Sequence, residues 1–228
     1  MTVSDEPRSG APFEVPGAIV AAQPAAVPAP RIVLVRHGET EWSLTGQHTG
    51  RTDIPLTPNG EEQARAVGRV LAGQTFGLVL TSPRQRAVRT ADIAGFGAGA
   101  VIDPDLAEWD YGAYEGLTSA QITERFGEPW NLWEDGVEPD AEGNGEQAAD
   151  LLRRNTAVIE RLRPTLNAGQ DVLLFSHGHY LRTLAATWMG LPIRAGELVV
   201  LDTASISVLG FEHGNQVMRM WNRTPWAE

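Results

Sequence analysis

Residues 32–42 read IVLVRHGETEW. Four apolar residues, three of them β-branched (Ile32, Val33 and Val35), give way at once to Arg36, His37 and Gly38. A short apolar run closed by a glycine reads as a buried strand. In open parallel sheets ligands bind outside the carboxyl ends of the strands, so a cation and an imidazole stand where a site would form. Two later stretches repeat the arrangement: LVLTSPRQRA (78–87) brings Arg84 and Arg86 to a strand end, and VLLFSHGHY (172–180) brings His177 and His179. Guanidiniums and imidazoles gathered at one sheet edge suit a ligand with several charged oxygens, such as a phosphate.

The pattern around these strands predicts the fold. PNGEEQARAVGRVLAG (58–73) has the early acids and terminal glycine of a helix, with Asn59 as its expected N-cap. A second strand lies in FGLVLTSP (76–83), and a helix follows through RQRAVRTADIAG (84–95). GEQAADLLRRNTAVIERLRP (145–164) predicts a long helix, DVLLFSH (171–177) a buried strand, and GHYLRTLAATWMG (178–190) a helix ended by Gly190. Strands alternating with helices imply an α/β protein, a three-layer α/β/α sandwich with a mainly parallel central sheet. A single domain over 31–228 is expected. The irregular stretch from about 100 to 145 is too long for an idle connection and reads as a lid or substrate-facing insertion. Residues 1–30, rich in Pro and Ala, read as a disordered or loosely docked tail. Their acidic, proline-broken opening lacks the features of a secretory signal, and no stretch approaches the ~18 apolar residues of a membrane span. A cytoplasmic protein without membrane association is expected. The apolar ASISVLGF (204–211) either forms an edge that pairs with another subunit or sits beside ELVVLD (197–202), and a homodimer is the preferred expectation.

Composition narrows the chemistry. A formal charge of -11 argues against a nucleic-acid partner. There is no cysteine, which removes disulfides, thiolate metal sites and Cys nucleophiles. All 18 basic residues are Arg, a bias that base composition of the genome accounts for, but any anion site must then use guanidinium forks, backbone N–H groups or His.

VRHGETEW (35–42), TSPRQRAVRTA (81–91), LAEWDYGAYEG (106–116) and FSHGH (175–179), in that order between about 31 and 212, resemble the histidine phosphatase superfamily, also called phosphoglycerate mutase-like. The resemblance implies the same three-layer fold. It implies that His37 is the nucleophile that becomes a phosphohistidine, that Arg36, Arg86 and His177 clamp the phosphoryl oxygens, and that Glu108 protonates the leaving oxygen and then activates water. It places substrate contacts at Ser43, Gln47, Thr49, Gly50, Tyr111, Gly178 and His179. Neither a metal nor a cofactor is expected, and the partner is a small-molecule phosphate ester.

Within the superfamily, the stretches around GETEWSLTGQHTG and PWNLWEDG look closer to the sedoheptulose-bisphosphatase-like and broad acid phosphatase branches. Ser43 and His179 stand where mutases usually carry Asn. The segment 116–146 offers one cation, Arg125, among many acids, which would repel a second anionic group and favours hydrolysis of a sugar phosphate over a cofactor-dependent phosphoglycerate mutase. A catalytically weak phospho-ligand binding module is the remaining alternative, and a shallow phosphoprotein phosphatase site is disfavoured by the long segment. Arg84 either joins the anion site or covers the sheet edge. His177 and His179 could be a metal pair, but a phosphate clamp is favoured. Only its position in the motif separates Glu108 from Asp105 and Asp110. His48 and His213 are read as structural or exposed, and Trp109, Trp130 and Trp133 as packing, with one of them at the pocket mouth at most.

Overall fold

Alternation of side chains along each strand divides the core into two halves. In β1 (Ile32–Arg36) the residues Ile32 and Leu34 join one apolar cluster, whereas Val33 and Val35 join another. The first cluster takes Leu151, Val158 and Leu162 from α6 (Ala148–Asn167) and Leu181 and Leu184 from α7 (Gly178–Trp188). The second takes Val67 and Leu71 from α2 (Pro58–Leu71) and Ala91 from α3 (Gln85–Ile93). Helices therefore cover both faces of one sheet, and the expected three-layer α/β/α sandwich is the observed fold. The structure, a computed structural model, describes residues 29–227, so the expected tail lies outside the described residues except for its last two positions.

The sheet has the order β3-β2-β4-β1-β5-β6. β1, β2 (Leu78–Thr81), β3 (Val101–Ile102) and β4 (Val172–Ser176) run parallel. β5 (Ile206–Glu212) is antiparallel to β1, and β6 (Asn215–Arg223) is antiparallel to β5. Parallel register sets Arg36 opposite Ser176 and Thr81 opposite Phe175, so the residues after β1, β2 and β4 emerge at one edge. The segment 197–202 is not a strand. β5 is instead flanked on both sides within this sheet, which removes the unpaired edge on which the dimer expectation was built.

Some element boundaries differ from expectation for identifiable reasons. The N-cap of α2 lies two residues ahead of Asn59: it is Thr57, its hydroxyl accepting from the Gly60 N–H at 3.0 Å, with Pro58 at the first helical position, where a missing N–H costs nothing. Asn59 donates instead to the Glu39 carboxylate at 2.8 Å. α6 runs past Pro164 to Asn167. Pro164 and Glu160, the residue whose carbonyl loses its helical donor, are both exposed. The stretch 100–145 contains α4 (Ser119–Phe126) and α5 (Leu132–Asp135), with single 3-10 turns before them. α1 (Glu41–Thr45) follows β1, capped reciprocally by Thr40 and Ser43.

The loop after β1 is clasped by α2 and α3. Gly38 N–H donates to Thr90 Oγ1 at 3.0 Å, Glu39 N–H to Gln63 Oε1 at 2.9 Å, and the Glu39 carbonyl accepts from Thr57 N–H at 2.9 Å. The two backbones touch at Gly38 and Gly60: a Cβ on Gly60 would lie 2.2 Å from the Glu39 carbonyl oxygen. Gly to Ala in a helix normally stabilises, but here we expect the reverse. Gly60→Ala should lose about 1–3 kcal/mol in urea unfolding, and an unchanged or higher midpoint would refute the close approach.

Candidate active site

His37 leaves the end of β1 buried, the residue only 5% exposed. Its Nδ1 lies 2.7 Å from the Gly38 carbonyl oxygen, which can only accept, so Nδ1 carries the proton and Nε2 keeps a free lone pair. Burial, followed by the charges of Arg86 and Arg36, holds the His37 pKa well below its ordinary 6.5. The ring is a neutral base of fixed tautomer. Its main-chain N–H donates to Ser176 O and its carbonyl accepts from Ala204 N–H, both at 2.9 Å, tying it to the ends of β4 and the segment before β5.

Arg36 lies beside it. One terminal nitrogen donates to the Leu201 carbonyl, while Nε is sealed from solvent with no hydrogen-bond partner in the protein. A buried N–H without an acceptor is unusual, and the rest of the Arg36 side chain lies on the cavity wall. Gly178 allows this placement, because a Cβ there would sit 3.3 Å from the guanidinium carbon.

Arg86 and His177 stand behind His37 rather than on the cavity wall, and both are fully buried. The rings of His37 and His177 meet edge to face at 5.1 Å. Arg86 Nε donates to His177 Nδ1 at 3.2 Å, which leaves His177 Nε2–H to donate to Ser82 Oγ at 2.7 Å. Three further Arg86 bonds reach the carbonyls of Thr52, Thr49 and Gly50 at 2.9, 2.8 and 3.3 Å. Four of its five N–H groups are thus engaged, and its direct influence on His37 is its positive charge.

Glu108 closes the site from the segment 100–145. Its Oε1 accepts from the N–H groups of Trp109 and Tyr180 at 2.9 and 2.8 Å, and Oε2 accepts from His179 N–H at 3.1 Å. Two of these donors belong to the first turn of α7, whose dipole favours a carboxylate there. Oε2, with one bond, retains the greater capacity for a proton. Asp105 lies away from the cavity, paired with Arg161, and Asp110 bonds the loop through Gly112 N–H, so neither competes with Glu108.

The cavity these residues share is about 450 Å³, within the range of small-molecule sites. Of the residues expected to contact substrate, Ser43, Gln47, Thr49, Tyr111, Gly178 and His179 line it. Gly50 does not. It lies behind Thr49, bonding Glu115 through its N–H, at a point where a Cβ would come within 2.4 Å of the Trp109 carbonyl. Tyr111 and His179 share a 2.6 Å hydrogen bond. Burial pushes the Tyr111 phenol well above 10 and the His179 imidazole well below 6.5, so both are neutral. His177 and His179 do not converge as a metal pair, since their ring nitrogens are turned to Ser82 and Tyr111 respectively.

Sequence reasoning missed other wall residues. His48 is buried rather than surface-exposed: its Nδ1–H donates to Leu117 O at 2.8 Å, and its ring stacks on His179 at 6.1 Å. Trp130 and Trp133 line the cavity as well as packing, while Trp109 is core. Arg182 also reaches the wall, its guanidinium 4.7 Å over the Trp133 ring and its Nε on Gly196 O at 2.8 Å. The helical offset from Gly178 to Arg182, one turn along the same face of α7, was the signal available for it. Arg84 keeps both readings: its Nε is buried without a partner, yet it is not on the cavity wall.

An imidazole, two guanidiniums and a carboxyl thus line one small cavity at the carboxyl edge of a parallel sheet. The Histidine phosphatase superfamily (branch 1) matches residues 32–224. The chain belongs to that superfamily and is an enzyme of the phosphatase kind. It is 41% identical over 187 residues to an acid phosphatase of Mycobacterium tuberculosis, covering 81% of this chain and 88% of the relative. It is 37% identical over 193 residues to sedoheptulose 1,7-bisphosphatase of Saccharomyces cerevisiae, covering 72% and 69%. A solved structure of an open-reading-frame product of Mycobacterium tuberculosis superposes with a TM-score of 0.79 at 37% identity, over 86% of this chain and 98% of that one. Among the described residues no helix is long and apolar enough to cross a membrane.

The neutral imidazoles carry a stability cost in acid. Below about pH 6.5 the unfolded chain binds protons at His37, His177 and His179 that the folded chain does not, because all three are held well below that value. The unfolded state then binds more protons, so stability falls as pH drops from about 6.5. Replacing His179 by Asn removes one such proton. Its stability against pH between 6.5 and 5 should be shallower than the wild type's by up to about 1.4 kcal/mol per pH unit, and parallel curves in pH-resolved urea titrations would contradict the burial argument.

Proposed function

We propose that the protein is a metal-independent phosphomonoesterase working through a phosphohistidine on a small phosphorylated metabolite, a sugar phosphate. The state of His37 carries this reading: a neutral ring whose proton is pinned on Nδ1 by a 2.7 Å bond leaves Nε2 as a nucleophile that no proton must vacate. His37 Nε2 bonds to phosphorus as the ester P–O bond breaks, and the Glu108 carboxyl gives its proton to the departing oxygen. Water then attacks the phosphorus, the P–N bond breaks, and the Glu108 carboxylate takes the water's proton. Arg36, whose side chain lines the cavity, holds a phosphoryl oxygen, while Arg86 adds its positive charge from behind the ring and the neutral His177, bonded to Arg86 and Ser82, holds that guanidinium in place.

Two features favour a neutral polyhydroxylated leaving group. Trp130 and Trp133 line the wall as apolar surface, and Gln47, His48, Asn131 and His179 offer uncharged polar groups for hydroxyls. The cationic side chains on the cavity wall are Arg36 and Arg182, and Arg182 already donates to two carbonyls, of Gly196 and Glu197. Arg125 is not on the wall. The cavity therefore serves a second anionic group poorly, which argues for hydrolysis over the isomerisation of a phosphoglycerate. The filled set of His37, Arg36, Arg86, Glu108 and His177 speaks against a binding module without chemistry.

With EDTA present, the protein should release phosphate from a panel of sugar monophosphates, a sugar bisphosphate and p-nitrophenyl phosphate, and His37→Ala should lower release at least about a thousandfold. 3-Phosphoglycerate should not be converted to its 2-isomer. Isomerisation without release would make the enzyme a mutase, and equal release by His37→Ala would remove the phosphohistidine.

A further inference from the structure

Arg154 projects from α6, is 8% exposed, and lies off the cavity wall. A guanidinium taken this far out of water needs partners for its donors. All five of its N–H groups have one. Nε and one terminal nitrogen bind the two carboxylate oxygens of Glu146, both at 2.7 Å. The remaining three bonds go to the carbonyls of Asp105, Ala107 and Glu108 at 2.7, 2.9 and 3.5 Å. Glu146 continues the grip: its Oε2 accepts from Asp110 N–H at 3.1 Å, its carbonyl from the Trp109 indole at 2.9 Å, and its N–H donates to the Asp110 carbonyl at 2.9 Å. One ion pair thus holds the main chain on both sides of Glu108. The same guanidinium lies 4.8 Å over the ring of Tyr180, whose N–H binds Glu108 Oε1.

We propose that Arg154, with Glu146 as its counter-ion, is a positioning residue that sets where the Glu108 carboxyl meets the leaving oxygen. This rests on the hydrolase reading above. Arg161, one helical stretch further along α6, supplies the contrast: it is half exposed and pairs with the carboxylates of Asp103 and Asp105, so it ties the same loop to the same helix without touching the chain at Glu108.

A proton donor matters most when the leaving group is a poor one. p-Nitrophenolate departs without a proton, whereas an alkoxide does not. The readout is kcat/KM, which covers steps up to release of the alcohol and is blind to the later hydrolysis of the phosphohistidine. Arg154→Met should lower kcat/KM on glycerol 2-phosphate at least about tenfold more than on p-nitrophenyl phosphate. Arg154→Lys, with three donors in place of five, should show the same bias to a smaller degree, and Glu146→Gln should share it; both carry the test should Arg154→Met fail to fold. Arg161→Met should change the two substrates alike. In the double variant with Glu108→Gln, loss of Arg154 should add no further bias. A wild type inert on both esters would sink the hydrolase reading, whereas an active wild type with an unchanged substrate ratio in the Arg154 and Glu146 variants would overturn this proposal alone.

Discussion

Everything at this site depends on the hydrogen bond between the His37 ring and the carbonyl of the next residue. A histidine that bonds the adjacent main chain has its ring direction decided by the local backbone, so the backbone itself must not move. That explains the density of ties on three residues: Ser176 and Ala204 on His37, Thr90 on Gly38, and Gln63 and Thr57 on Glu39. They come from β4, the lead into β5, α3 and α2. The glycines at 38 and 60 let two backbones meet where any side chain would force them apart. Precision at Nε2 is thus a property of the whole sandwich.

Electrostatics and geometry reinforce each other. Arg36 and Arg86 beside a buried imidazole make its protonation costly, and the same positive charges would stabilise a phosphoryl group during transfer. Further out, neutral groups take over: Tyr111, His179 and His48 form a continuous ring contact in which burial keeps each uncharged. The cavity therefore changes from cationic around His37 to neutral and aromatic further along its wall.

Strand ends and the residues they carry were legible in the sequence, because unbroken apolar runs such as VLLFS have few alternatives and the side chains just past them must share an edge. The hairpin that completes the sheet was not. β6 alternates weakly, with Gln216, Arg219 and Asn222 among its apolar residues, and its turn uses His213 and Gly214, both at positive φ, in place of the Asn-Gly pair that announces such turns. The segment 100–145 was read as irregular because its helices are short and begin at caps, Thr118 and Asn131, rather than at apolar periodicity. His48 could not be recovered from sequence at all, since its partners, Leu117 and His179, are distant in the chain and supply a carbonyl and a ring face.

The absence of lysine, unremarkable as composition, has a structural consequence that only packing reveals. Two buried cations near the site work as forks: Arg86 spans four acceptors contributed by His177 and the loop at 49–52, and Arg154 spans five contributed by Glu146 and the chain at 105–108. An ammonium has three donors on one nitrogen and could not bridge such separated carbonyls. Two irregular loops, one beside His37 and one carrying Glu108, are thereby given fixed shapes without strands or long helices of their own. Because both forks engage backbone carbonyls, they set the course of the main chain itself in those loops.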